Sequence, residues 1–406
     1  MTVATTLPDS EIARMNVFGQ TDVGWCANTP VNETMDDDGA ASIQKTGFAA
    51  MDPFAPSHRV YDDPQVEALR DFLRENNGIQ GLETCEPQEL DRIERLFFRD
   101  GFVVVNNLLE CGALNDWREG CARILRDILA HPGHGGRKYI TETNRLPHRY
   151  SYGTASASRQ LLHEPAWANM IDLPTTTPIL TRLFGSAEYH VWGAGGDLCL
   201  PGAIEYQALH TDLRENFQIS MARFNQARKL GIDSEVEDPE NLDARTRQVV
   251  VERTPPMITI NFLMSDLTWE NGPIRQVPHT HGSAGRIPLQ SEEPMWMRTS
   301  TLVGAKAGAG MIRDNRGWHG ATPNLSREVR ALPDVEYGAP WIAKDRISRT
   351  MPHEIWQSLS PHGQAIAQWV RAEPGTWPAG AGVMHPLARV RHRSKELALA
   401  RIAQNE

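Results

Sequence analysis

His210 and Asp212, in "QALHTDL" (207–213), stand one residue apart. On an extended strand alternate side chains share a face, so both can reach one point while Thr211 projects the other way. An imidazole beside a carboxylate suits a borderline divalent ion such as iron, manganese or zinc. The pair alone is equally a hydrogen-bonded histidine and aspartate, so a metal site needs a third ligand from a distant segment. Two segments offer one: "HTH" (His279, His281), after the turn "ENGP" (270–273), and His319, in "GWHGATPNLSREVR" (317–330). Arg327 and Arg330 follow His319. On a returning antiparallel strand either could reach back toward the metal, where a guanidinium binds a carboxylate through two parallel hydrogen bonds. Two histidines and one carboxylate on one face leave positions open for a chelating co-substrate and oxygen.

The elements that must position these residues follow from periodicity and punctuation. Residues 1–60, with "MDDDGA" and "MDPFAPS", have no clear period and read as an irregular leader. Helical spacing appears over 64–76, 86–99 and 112–130, and again around 161–184; "GFVVV" after Asp100 reads as a strand entered by a turn. From 188 the chain breaks into short apolar stretches separated by Gly and Pro, which predicts a sandwich or barrel. A charged segment, 222–254, interrupts them as an inserted helix or lid. Residues 351–406 read as a polar helical extension whose basic piece "RVRHRSK" (389–395) is a solvated face.

Composition narrows the function. The chain of 406 residues is 40% hydrophobic, enough for a sizeable core, and its formal net charge of −10 argues against a general nucleic-acid binder. Five cysteines (26, 85, 111, 121, 199) form no CxxC pair and read as reduced thiols of an intracellular protein. Neither a secretory leader nor an apolar run long enough to span a membrane is visible. The expectation is a soluble cytoplasmic protein acting on a small molecule, with no nucleic-acid or membrane partner.

Taken together, "ELDRIERLFFRDGFVVVNNLL" (89–109), "QALHTDL" (207–213), "ENGPIRQVPHTHG" (270–282) and "HGATPNLSREVR" (319–330) resemble, in order, the blocks of the phytanoyl-CoA dioxygenase family of Fe(II)- and 2-oxoglutarate-dependent oxygenases. The resemblance covers roughly residues 86–341. It implies a mainly β fold with flanking helices: a double-stranded β-helix (jelly-roll, cupin-like) with N- and C-terminal helical segments. The oxygenase domain would span 61–350, with its barrel at about 188–341. By position it implies His210, Asp212 and His319 as the iron ligands and Arg330, eleven residues after His319, as the partner of the far carboxylate of 2-oxoglutarate. Arg327 is then a salt-bridge residue, and His279 and His281 lie outside the ligand set.

The resemblance is imperfect at two places. The family's Pro-Gly-Ser-His is here Pro-His-Thr-His (278–281), with His279 expected to face solvent. The small hydroxyl residue two beyond the distal histidine is here Ala321, followed by Thr322. Gln207 and Asn261 are therefore the candidates for the other end of 2-oxoglutarate. The implied reaction uses O2 and 2-oxoglutarate to hydroxylate an unactivated C–H bond, releasing succinate and CO2. Desaturation or ring formation is the rival on the same site, and a non-catalytic ligand-binding barrel is the rival of another class. Halogenating relatives lack the carboxylate, so Asp212 argues against halogenation. The loop "NRLPHRYSYG" (144–153), with Arg145, His148, Arg149, Tyr150 and Tyr152, reads either as a well-ordered surface loop or as a cover over the site that recognises a polar or anionic group. Trp318 would either wall the pocket or pack into the core.

Overall fold

A computed structural model of the chain describes residues 24–30, 56, 58–110, 112–130, 148–232, 241–345 and 347–382. Most of the expected leader, Arg145 and the basic piece 389–395 lie outside the described residues. The elements run β1 (Cys26–Pro30), β2 (His58–Arg59), α1 (Pro64–Glu75), β3 (Thr84–Cys85), α2 (Leu90–Asp100), β4 (Phe102–Val105), α3 (Leu114–Ala130) and β5 (Arg149–Ser151). They continue α4 (Pro165–Ala168), α5 (Thr177–Phe184), β6 (His190–Cys199), α6 (Phe217–Lys229), α7 (Ala244–Arg253), β7 (Met257–Phe262) and β8 (Ile274–Gln276). Last come α8 (Met295–Arg298), β9 (Gly310–Asp314), β10 (His319–Ala321), β11 (Arg330–Gly338), α9 (His353–Ser358) and α10 (Pro361–Ile366). Helix accounts for 31% and strand for 18% of the described residues, the fold being a mixed seven-stranded sheet with helices.

Local chemistry sets the helix limits. Asp63 caps α1 by accepting from the Gln65 amide at 2.8 Å, and Pro64 takes the first helical position, where no donor is needed. Helix α2 buries Ile93, Leu96 and Phe97 and ends at Gly101, whose φ of 82° is left-handed and whose amide donates to Phe97 O at 2.8 Å. A Cβ at Gly101 would also stand 2.5 Å from His281 Nδ1, inside a contact. Gly101→Ala is expected to cost about 1–3 kcal/mol, the usual range for a forced backbone conformation. A urea titration followed by tryptophan fluorescence checks it.

Two sheets frame the interior. The larger has seven strands in the order β3-β4-β9-β7-β11-β6-β5, antiparallel except for the β3–β4 pair. The smaller pairs β10 with β8 and is widened by bridges His210↔His319, Ala203↔Asn324 and Arg275↔Thr301. From β6 onward the chain crosses repeatedly between them: β6 and β7 belong to the larger sheet and residues 203–210, between them in sequence, to the smaller. Then β8 is in the smaller, β9 in the larger, β10 in the smaller and β11 in the larger.

Strand alternation divides the larger sheet's faces. Outward residues such as Ile258, Ile260, Ile312, Val335 and Tyr337 join the main core with side chains of α2, α3 and α5. Inward Phe102, Val104, Met311 and Leu332 meet Ile274 and Leu302 and fill one end of the space between the sheets with apolar side chains. The other end is polar and holds the site. Met351, Ile366, Ala367 and Val370 are buried in the main core, so residues 351–370 are anchored to it rather than forming the wholly polar extension expected.

The inserted segment is two helices, α6 and α7, packed together through Phe224, Ala227 and Val250. Its two ends meet at one residue. Asp212 N and Leu213 N both donate to Asn315 O, at 3.0 and 3.1 Å, while Asn315 N donates to Met257 O at 3.2 Å and Thr259 Oγ1 to Asn315 Oδ1 at 2.7 Å. Among the described residues no helix is long and apolar enough to cross a membrane, and Cys85, Cys121 and Cys199 are buried free thiols.

Candidate metal centre

His210 makes a single bridge at the edge of the smaller sheet rather than lying on the expected strand, and His319 opens β10 beside it. The two residues exchange backbone hydrogen bonds, His210 N to His319 O and His319 N to His210 O, each 3.0 Å. That pairing puts their rings side by side, centroids 4.3 Å apart. Asp212 follows two residues on, held by Asn315. One ligand atom from each of His210, Asp212 and His319 lies within 4.8 Å of the others, close enough to hold one ion.

Hydrogen bonding prepares the histidines. Nδ1 of His210 faces Ala208 O at 3.2 Å, and Nδ1 of His319 faces Gly317 O at 3.0 Å. A carbonyl only accepts, so each Nδ1 carries the proton and each Nε2 presents a lone pair. The Nε2 atoms lie 3.8 Å from Asp212 Oδ1 (His210) and 3.4 Å from Asp212 Oδ2 (His319).

Electrostatics favours the ligating protonation states. Burial, with Arg313 beside it, pulls His319 down to about 3, so it is neutral at neutral pH. Burial opposes ionisation of Asp212, but Arg313, His319 and His210 outweigh it and hold the carboxyl far below the usual range. His190, likewise buried, is drawn down to about 4. A depressed histidine refuses protons that the unfolded chain accepts. The metal-free protein is therefore expected to keep full stability above pH 6.5 and to lose it steadily as pH falls toward 4. Urea midpoints across that range, in chelator, check this.

A cavity of about 220 Å³ opens on the triad. Asp197, Asp334 and Glu336 of β6 and β11 form one wall, and Ser151, Arg159 and Gln160 another. Arg313 and Gln207 complete the surroundings of the triad. Among the described residues the lining is polar, with Ala194 as its one apolar side chain. Gly196, at φ 113°, lets the β6 backbone pass against β11, where a Cβ would stand only 2.2 Å from Leu332 O. Burial, with Glu336 and Asp197 nearby, raises Asp334 well above the ordinary carboxylate value.

The structure gathers some of the expected residues and not others. Gln207 lines the cavity, with Oε1 accepting from Ala321 N at 3.1 Å. Asn261 does not: its carbonyl accepts from Arg313 Nε at 3.1 Å and its amide donates to Asp334 Oδ2 at 3.3 Å, so both ends are committed. Arg330 is also absent from the lining. It is buried below it, with Nε donating to Gly272 O at 3.0 Å and Nη1 without a hydrogen-bond partner. Arg327 lies over the Tyr61 ring at 3.9 Å, away from the triad.

His279 is exposed at the surface near Asp100, and buried His281 packs against Gly101; neither joins the triad. Thr322 gives its hydroxyl to Pro273 O at 2.6 Å, and Trp318 packs with Leu209 and Val277. Residues 144–147 of the candidate recognition loop lie outside the described residues. Residues 149–151 form the edge strand β5, and His148, Arg149, Tyr150 and Tyr152 are buried rather than exposed as a surface loop; among the described residues of 148–153 only Ser151 reaches the cavity.

Among the charged and polar residues of the cavity that went unread in the sequence are Arg313, Asp334, Glu336 and Asp197, with Arg159 and Gln160. The signal was alternation. Met311 and Arg313 share a face in "GMIRD", as do Leu332, Asp334 and Glu336 in "LPDVEYG".

No family model matches the chain, and no curated protein matches it. Among solved structures it is similar to the non-heme alpha ketoglutarate dependent epimerase SnoN from nogalamycin biosynthesis, at 17% identity over 62% of this chain and 83% of that one, TM-score 0.41. It is similar to EctD from S. alaskensis, solved with 2-oxoglutarate and 5-hydroxyectoine, at 15% identity over 76% and 93%, TM-score 0.42. AviO1 from Streptomyces viridochromogenes Tue57 is similar at 14% identity over 63% and 97%, TM-score 0.40. At this distance the likeness decides nothing about this chain, and its own residues carry the reading.

Proposed function

We propose that the protein is a non-haem Fe(II)- and 2-oxoglutarate-dependent oxygenase that hydroxylates a small, polar organic molecule. The observation that carries this is the His210–Asp212–His319 cluster, with both Nε2 lone pairs freed by carbonyl-bound Nδ1 atoms and the carboxylate held ionised. Two nitrogens and one oxygen on one side of an ion suit iron and leave its other side open. The crossing of the chain between two sheets supports a double-stranded β-helix.

In this reading His210, Asp212 and His319 hold the iron, which with 2-oxoglutarate and O2 supplies the oxidising chemistry, giving succinate and CO2. Arg330 takes the far carboxylate of 2-oxoglutarate. Its fit is its buried guanidinium, fixed at Nε and with Nη1 unpartnered, and a buried donor without a partner is costly unless a ligand supplies one. Gln207, on the lining, is the candidate for the end nearer the metal. The polar lining suits a compact molecule rich in hydrogen-bonding groups rather than an aliphatic chain.

Anaerobic addition of Fe(II) and 2-oxoglutarate should produce a weak visible absorption band. Its absence from the native protein would falsify the assignment. Succinate release across a panel of polar metabolites would then name the substrate, and mass spectra of the product separate hydroxylation from desaturation or ring formation.

A further inference from the structure

Arg313 stands at the end of a chain of hydrogen bonds that crosses the larger sheet and terminates on Asp212. Gly195 N, on β6, donates to Asp334 Oδ1 at 3.0 Å. Asp334, on β11, accepts at Oδ2 from Asn261 Nδ2 at 3.3 Å. Asn261, on β7, accepts at Oδ1 from Arg313 Nε at 3.1 Å. Arg313, on β9, donates from Nη2 to Asp212 Oδ2 at 2.6 Å. Four neighbouring strands thus fix the direction of one guanidinium. That guanidinium is almost fully buried, while the carboxylate it meets is about one third exposed.

We infer that Arg313 is a positioning residue for the metal ligand Asp212. By donating to Oδ2 it fixes the rotation of the carboxylate, which sets Oδ1 3.8 Å from His210 Nε2 and Oδ2 3.4 Å from His319 Nε2, with Asn261 and Asp334 holding Arg313 in that pose. The inference rests on the triad binding a divalent metal, and it assigns to Arg313, Asn261 and Asp334 a role exerted through Asp212. A carboxylate on a short loop otherwise rotates freely about its last bond, and metal sites depend on such outer partners for ligand orientation.

The sign of the effect separates this role from its rival. Arg313 is a positive charge beside a cation site. If it were only a neighbour of Asp212, removing it would relieve repulsion and tighten metal binding. If it positions Asp212, removing it loosens binding despite that relief, by about 10- to 100-fold as for other outer partners.

The experiment titrates Mn(II) into the full metal-free chain and reads free Mn(II) by electron paramagnetic resonance, without substrate or turnover. Arg313→Met keeps the bulk of the side chain and removes its hydrogen bonds, and should bind Mn(II) about 10- to 100-fold more weakly than the native chain. Asn261→Leu leaves Arg313 in place but frees its Nε, and should weaken binding in the same direction by less. Arg313→Lys keeps the charge without the rigid fork and should fall between native and Met. In parallel, the visible spectrum of the Co(II) form should change in Arg313→Met as the carboxylate reorients. Unchanged or tighter Mn(II) binding by Arg313→Met, with an unchanged Co(II) spectrum, overturns the inference. Should that variant not fold, the same two readouts on Asn261→Leu decide it in the same way. Failure of the native chain to bind Mn(II) at all would instead remove the metal reading itself.

Discussion

Asp212→Ala is expected to abolish both metal binding and succinate formation. Of the three clustered side chains, Asp212 is the one anion, and two neutral imidazoles do not compensate a divalent charge alone. The loss is compounded by Arg313. With its carboxylate gone, that guanidinium keeps its place through Asn261 and faces the ion as an unopposed positive charge. The effect should therefore exceed the about 10- to 100-fold that loss of an outer partner costs. Asp212→Asn is the sharper control. Its amide carbonyl still accepts from Arg313, so the local structure is kept, while the charge and one ligating oxygen are removed. Mn(II) titration of both variants checks the prediction. Binding by Asp212→Asn at native strength would place the ion elsewhere.

Arg330→Ala is expected to raise KM for 2-oxoglutarate steeply while leaving Mn(II) affinity nearly unchanged. Arg330 is buried at the start of β11, and a carboxylate bound there is sealed from water. Truncating one partner of a buried hydrogen-bonded charge pair costs about 2–5 kcal/mol. At about 1.4 kcal/mol per tenfold, this is roughly 30-fold to several thousand-fold in affinity. Arg330→Lys retains the charge but not the fork and should recover part of the loss. An unchanged KM in Arg330→Ala would transfer the carboxylate to another cation, and Arg313, with its own unpartnered Nη1, is the first to examine.

The sequence made the triad legible because two of its members, His210 and Asp212, are separated by one residue, so their proximity is local, although the strand expected there is only a single bridge at His210 followed by a bend. It made α1, α2 and β4 legible for the same reason: Asp63, Pro64 and Gly101 act on the next turn of chain. The hydrogen-bonded chain behind Asp212 was not legible. Asp212 and Arg313 are separated by 101 positions and meet only because β9 lies inside the larger sheet. Asn261, a candidate for the co-substrate or for a structural hydrogen bond, bonds Arg313 and Asp334, since its type predicts a hydrogen bond but not with what. The stretch 148–152 misled through composition. Arginine, histidine and tyrosine suggest an exposed recognition loop, yet Arg149 gives its Nη2 to Thr322 O at 2.8 Å within the fold. Polar side chains that satisfy backbone carbonyls in the interior look, in a sequence, like polar side chains waiting for a ligand.

The meeting of both ends of the helical insertion at Asn315 bears on how this chain could acquire new specificity. The backbone leaves at Leu213 and returns at Met257 on opposite sides of a single residue, so whatever lies between is a closed detour. Closing such a detour costs little more as it lengthens, about 0.6 kcal/mol for each doubling of a flexible loop, beside the contacts its helices make. Changes in the length of the connection between helices α6 and α7 are then expected to leave the splice at Asn315 intact. His210, Asp212 and His319 would keep their positions, because their anchors lie on the near side of the splice.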